Sequence, residues 1–230
     1  METNQAQFDV HGAQQLFLER PRRSKRQSEL LEDFREILKF DHCVQIFKEN
    51  PVNIEYSDDS GGRGEYTPDV FIKYRWDFEP ASLIKPRLCA VMYRADIKKQ
   101  WYALKPRFKA ALDYASARGM EFKIFTEKEI QTEYMLNARF LNRYRDVAVL
   151  PGYVERLDNL LDRIPVTTPQ EIIQIAARDF YQQAHYLFVL WHMVSLGLIG
   201  VELTYKLTMK TPIWSKSANN PVFVKPLKLR

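Results

Sequence analysis

Two stretches decide the fold: Tyr66-Thr67-Pro68-Asp69-Val70-Phe71-Ile72-Lys73-Tyr74 and, after a loop, Arg87-Leu88-Cys89-Ala90-Val91-Met92-Tyr93. The first is rich in β-branched and aromatic residues and reads as a strand. The core of the second, Leu88 to Met92, is apolar throughout, as in a strand covered on both faces at the centre of a sheet. Upstream, Ser57-Asp58-Asp59-Ser60-Gly61-Gly62-Arg63-Gly64 is a turn, preceded by short strands at 44–46 and 52–56. Before those, Ser28 is a candidate N-cap, and Leu30, Leu31, Phe34, Ile37 and Leu38 share one helical face that ends near Phe40-Asp41. Downstream, Trp101, Leu104, Phe108, Ala111, Leu112 and Ala115 predict a helix over 98–118, closed by Gly119. A strand follows at 122–125, and Thr126 with Glu129 forms a capping box. The fold class is α/β: a mixed sheet flanked by helices.

The chain changes character at Pro151-Gly152. Thr168, Pro169 and Glu171 open one helix, and a second runs over 182–196 with Ala184, Leu187, Phe188, Trp191 and Val194 as its stripe. Strands at 198–203 and 205–209 would then make a wing, giving a small winged-helix-like unit. The expected organisation is an arm at 1–27, an α/β domain at 28–147, a C-terminal domain at 148–217 that makes partner contacts, and a tail at 218–230.

Composition narrows the classes of function. The 230 residues hold 46% hydrophobic and 27% charged side chains, a globular balance. An apolar run such as 186–191 is far short of the ~20 residues of a membrane span. Two cysteines exclude a disulfide framework, and Cys43 and Cys89 read as small buried hydrophobes. The polar N-terminus predicts no secretory signal, hence a cytoplasmic protein. The net charge of +5 is modest but unevenly spread. Residues 20–26 carry Arg20, Arg22, Arg23, Lys25 and Arg26 with no acid; Lys98, Lys99, Lys105, Arg107 and Lys109 form a second group; residues 203–230 hold six cations and no carboxylate. Such clustering points to a polyanion, and nucleic acid is the usual one.

Restriction-type nucleases place a Pro-Asp at the start of one strand to hold a divalent metal. A carboxylate (or glutamine), one spacer and a lysine follow on the next strand, since residues two apart face the same side. Mg²⁺ or Mn²⁺ then clamps the attacking and leaving oxygens of a phosphodiester. Pro68-Asp69 occupies the first position, and Ala90-Val91-Met92 stands where the second pair would be.

Tyr66-Thr67-Pro68-Asp69, Val91, Tyr93-Arg94-Ala95-Asp96, Trp101, Leu104-Lys105-Pro106-Arg107-Phe108, Phe125-Thr126-Glu127-Lys128-Glu129-Ile130 and Asn137-Ala138-Arg139-Phe140-Leu141 together resemble the TnsA family. Its members are endonuclease subunits of heteromeric Tn7-like transposases. Ser28, Asp33-Phe34, Phe40-Asp41 and Pro51-Val52-Asn53-Ile54-Glu55-Tyr56 extend the likeness upstream, and Thr211-Pro212-Ile213-Trp214 downstream. The resemblance implies a restriction-endonuclease-like fold and Mg²⁺- or Mn²⁺-dependent 5′-strand cleavage at transposon ends. It also implies DNA transposition beside a TnsB-like DDE transposase and a TnsC-like AAA+ regulator, in a bacterial cytoplasm. Transposon-end DNA would meet Arg20, Arg22, Arg23, Lys25, Arg26, Arg94, Lys98, Lys105 and Arg107.

The catalytic positions depart from the family pattern. Where the family reads Glu-Val-Lys, this chain has Ala90-Val91-Met92, and the helical glutamate aligns with Leu31. Asp69 alone is retained as catalytic and metal residue. The expectation is therefore a catalytically dead subunit with weak or absent metal binding. The alternative is an active endonuclease using Glu32, Glu65 or Asp96 as replacement carboxylates.

Overall fold

The computed structural model describes residues 24–58, 61–77 and 83–216. Arg20, Arg22, Arg23 and the 218–230 tail lie outside them. Helix α1 runs Lys25–Phe40. Its N-cap is Ser24, whose side chain accepts the Gln27 N–H at 3.2 Å, so the helix starts one turn earlier than a cap at Ser28 would give. Lys25 and Arg26 are therefore helical.

Strands β1 (Val44–Glu49), β4 (Val70–Tyr74), β5 (Arg87–Val91) and β6 (Glu121–Phe125) form one sheet in the order β1-β4-β5-β6. The first two pairings are antiparallel, and β5 with β6 is parallel. A parallel pair needs a crossover, here supplied by α2 (Arg94–Lys99) and α3 (Trp101–Ser116). The expected single helix over 98–118 is thus broken at Gln100, which caps the end of α2 and the start of α3. The expected strand over 66–74 is also interrupted. Residues 63–66 form β3 (Arg63–Tyr66), a hairpin with β2 (Ile54–Ser57), and the chain re-enters the main sheet only at Val70.

The two faces of the sheet have separate cores. On one, Leu30, Leu31, Phe34 and Ile37 of α1 cover Val70, Ile72, Cys89 and Val91. On the other, Leu104 and Phe108 of α3 cover Ala90, and Ala111 and Ala115 cover Leu88. Alternation along β5 produces this division. After β6 the Thr126–Glu129 capping box is present and opens α4 (Glu127–Ile130), followed by α5 (Glu133–Asn142).

The C-terminal part runs α6 (Pro151–Arg163), β7 (Val166–Thr167), α7 (Pro169–Ala176), α8 (Phe180–Ser195), β8 (Ile199–Val201) and β9 (Ile213–Ser215). Its strands pair antiparallel in the order β7-β9-β8. Pro151 sits in the first turn of α6, where the missing N–H costs nothing. Residues 205–209 are not a strand. The buried Asn137 of α5 holds that loop instead: its amide donates to the Leu203 and Tyr205 carbonyls at 2.9 and 2.7 Å, and its oxygen accepts the Leu207 N–H at 3.1 Å. Phe40, Ala138 and Leu141 join the same cluster as Leu157, Ile172, Leu190 and Trp191, so α1 and α5 contribute to the C-terminal core.

Candidate active site and its nucleic-acid edge

Val70 pairs with Cys89 in the β4–β5 register, which sets Asp69 opposite Ala90. The Asp69 N–H donates to the Cys89 carbonyl at 2.8 Å, and the Asp69 carbonyl accepts from Asn50 N–H at 2.9 Å. Pro68 is buried just before it and has no N–H to place in the ladder. Ala90 is 0% exposed and packs with Leu104 and Phe108; Met92 is half-buried against the same cluster. Register and packing thus place Asp69, Ala90 and Met92 at the end of the sheet where β4 begins and β5 finishes.

The Asp69 carboxylate has a specific partner there. Its Oδ2 accepts the Val91 N–H at 2.6 Å. The Val91 carbonyl in turn accepts from the Gln27 side-chain amide in the first turn of α1. Alternation sends the N–H and C=O of Cys89 and Val91 toward β4, but β4 has no ladder residue opposite Val91. Asp69 and Gln27 close that gap with side chains. Val91 is fully buried, so an unmet N–H there is costly. Asp69→Ala should accordingly lower stability by about 1–3 kcal/mol. Asp69→Asn, whose amide oxygen can still accept, should retain most of it; paired urea titrations of the two variants check this.

Leu31 is not part of this pocket. It is 3% exposed and packs with Val70, Cys89 and Val91, on the sheet face opposite Ala90. Leu31 lies four residues past Gln27, just over a turn along α1, and it is Gln27 that reaches the end of β5. No sequence signal singled out Gln27, because a helix opening at Ser28 excludes it. Glu32 lines a surface groove with Glu29, Asp33 and Glu36 of α1 and Arg139 and Asn142 of α5. In that groove the buried Asp33 carboxylate accepts from Gln131 at 2.9 Å and pairs with Arg139. Glu65 accepts from the Asn53 amide at 2.6 Å on the β2–β3 hairpin, and Asp96 stands in the first turn of α2.

Mg²⁺ takes oxygens at about 2.1 Å in near-octahedral array. Around Asp69 the structure offers an alanine, a methionine and a carboxylate already accepting a backbone N–H, which does not fit such an ion. Among the described residues no group of three or more His, Cys, Asp or Glu side chains is placed to hold a metal. Cysteine chemistry does not replace it. Burial pushes the Cys43 thiol up to about 12 and the Cys89 thiol higher still, so both stay protonated.

The cations gather at the same end of the sheet. The Arg26 guanidinium lies 3.7 Å from the centre of the Tyr93 ring, which brings the first turn of α1 beside the start of α2. Arg94 follows at once, its N–H donating to Glu127 at 2.9 Å. Lys25, Lys98 and Lys105 are exposed. Arg107 is anchored, its Nε donating to the Tyr56 hydroxyl at 3.0 Å, which ties α3 to the β2–β3 hairpin.

Residues 41–127 match a family model described as TnsA-like endonuclease N terminal. The match begins just before β1, ends at the first residue of α4, and contains Asp69, Ala90 and Met92. No curated protein matches the chain. With the mixed sheet and the Pro68-Asp69 pair in place, that match supports membership of the TnsA family, residues 41–127 being similar to its endonuclease N-terminal domain.

Proposed function

We propose that the chain is the TnsA-like subunit of a Tn7-like heteromeric transposase, that it holds transposon-end DNA without cutting it, and that it assembles with a TnsB-like DDE transposase and a TnsC-like AAA+ regulator. The observation that carries the inert half of this reading is the Asp69 carboxylate capping Val91 N–H beside Ala90 and Met92. Neither neighbour offers an oxygen for a hard cation or a charge to steer water, so affinity for Mg²⁺ or Mn²⁺ is weak or absent. Catalytic groups that act as a unit lose orders of magnitude in rate together.

The element order of the C-terminal part, α6-β7-α7-α8-β8-β9 with strands ordered β7-β9-β8, supports a winged-helix-like unit. Helix α8 would be its recognition helix, yet it contains no Lys or Arg and exposes Phe180 and Tyr181. That surface suits a protein partner better than phosphate. Its setting would be the bacterial cytoplasm; among the described residues no helix is long and apolar enough to cross a membrane.

The test is a nicking assay on a transposon-end duplex with the TnsB-like partner and Mn²⁺. The chain as written should leave the 5′ strand intact. A variant carrying Gln27→Glu, Ala90→Glu and Met92→Lys should bind Mn²⁺ and begin to nick. Nicking by the unmodified chain that Asp69→Asn abolishes would overturn the inert reading, because that change spares the Val91 cap. In a binding titration on the same duplex, replacing Lys25, Arg26, Lys98 and Lys105 by Ala should flatten the salt dependence of DNA binding by up to ~0.9 per lost phosphate contact.

A further inference from the structure

Helix α3 keeps its apolar stripe over Leu104, Phe108, Ala111 and Ala115, all buried. The stripe begins one turn earlier at Trp101, which is 46% exposed, and the adjacent Tyr102 is 93% exposed. The cause is where α3 begins. Because β5 and β6 are parallel, the crossover must start α3 at the end of the sheet where β5 finishes. Leu104 already sits on Ala90, near the last residue of β5. Three residues earlier, at about 1.5 Å per residue, the helix begins level with the last residues of β5. The first turn of α3 therefore carries two large, exposed rings beside the end of β5, the end of the sheet at which Asp69 sits.

Nothing in the nuclease frame uses these rings, and charge marks what they would meet. Lys98 and Lys99 close α2 immediately before them, and Lys105 follows; all three are exposed. Asp96 is the only carboxylate between Arg94 and Lys109. Exposed aromatic faces interleaved with cations are the arrangement by which proteins hold single-stranded nucleic acid: phosphates meet the cations and unpaired bases stack on the rings. A base inside an intact duplex has no free face to offer. A strand opened beside a break has.

We propose that Trp101 and Tyr102 form a stacking platform for unpaired nucleobases of DNA at the end of the sheet where Asp69 sits, with Lys98, Lys99 and Lys105 on the neighbouring phosphates. This rests on the DNA-holding role argued above and deepens it: the subunit grips an opened strand end. The platform needs no metal and no cleavage.

Binding is measured on two DNAs of equal duplex length, one blunt and one with a short single-stranded overhang carrying 2-aminopurine. The full chain should prefer the overhang and quench the 2-aminopurine by stacking. Trp101→Leu with Tyr102→Leu should weaken overhang binding about tenfold or more, leave blunt binding within about twofold, and abolish the quench. Trp101→Phe with Tyr102→Phe keeps flat rings and should rescue both readouts. Equal losses on both DNAs, no loss on either, or failure of the phenylalanine pair to rescue each overturn the platform. A chain that binds blunt DNA through its lysines but shows no overhang preference overturns the platform alone. A chain that binds no DNA overturns the DNA-holding role with it.

Discussion

Acidification from pH 6.5 to 4 is expected to weaken the fold by about 2–3 kcal/mol through one residue, His42, and a His42→Asn variant should lose most of that dependence. His42 follows the C-cap of α1 and reaches the C-terminal part: its ring faces Gly197, and Arg145 contacts its Nδ1 at 3.3 Å. Burial first, then the charges of Arg145, Lys216 and Arg75, hold its pKa at about 4 instead of 6.5. Arg145, Lys216 and Arg75 are all cations and oppose protonation of the ring, against which a hydrogen bond with the Ser195 backbone acts in the other direction. The direction follows. Between about pH 4 and 6.5 the unfolded chain binds a proton that the folded chain refuses, so stability is full above 6.5 and falls as the pH drops toward 4. Solvent reaches part of the ring, which keeps the loss below that of a fully buried imidazole. Asp41 next door has its carboxyl raised by burial, which acts in the opposite sense around and just above pH 4. The measurement is therefore the difference between wild type and His42→Asn in urea midpoints at pH 7, 5.5 and 4.5. Parallel curves for the two proteins would reject the assignment.

Gly200→Ala should cost about 3 kcal/mol or more, concentrated in the C-terminal part. Gly200 pairs with Trp214 across β8 and β9. A Cβ at Gly200 would stand 1.9 Å from the Trp214 indole nitrogen and 2.3 Å from the nearest ring carbon. No adjustment of tenths of an ångström accommodates that; the indole must leave or the two strands must part. The three-stranded sheet has only short ladders in which to absorb a separation. Near-UV circular dichroism should lose tryptophan signal, and the melting temperature should fall. Trp214→Ala made in the Gly200→Ala background should cost less than Trp214→Ala in wild type, because the clash disappears with the ring. Additive losses would mean that the alanine is tolerated in another way.

The placement of Asp69 beside Ala90 was legible because its signals are local. Pro68-Asp69 precedes a strand, Leu88 to Met92 is an unbroken apolar run, and period-two alternation puts Ala90 and Met92 on one face. The same applies to the capping boxes at Thr126 and Thr168, both present as spaced. What escaped is decided far along the chain. Ser24 and Ser28 are equally good caps in sequence, and the earlier one is used while the first turn of α1 docks Gln27 on Val91 and Arg26 on Tyr93. That Leu31 packs on the sheet face opposite Ala90 escaped with it, since the face of α1 that reaches the end of β5 depends on where the helix begins and how it docks. The break at Gln100 has no glycine or proline to announce it. Residues 205–209 alternate like a strand, yet Asn137, some seventy positions upstream, takes the Leu203 and Tyr205 carbonyls and the Leu207 N–H.

Asn137 belongs to a helix with two allegiances, and this bears on exchange between relatives. One side of α5 is fastened to α1, through Arg139 to Asp33 and Asn142 to the Glu36 carbonyl at 3.0 Å. The other supplies Ala138 and Leu141 to the core beneath α6, α7 and α8. A chimera that joins this N-terminal part to a foreign C-terminal part at the loop after α5 would therefore transplant half of a fitted surface. The workable seam is not in the loop but through α5 itself, with its α1-facing residues inherited from one parent and Asn137, Ala138 and Leu141 from the other. Recombination in such a chain is constrained by the faces of one helix rather than by the linker that follows it.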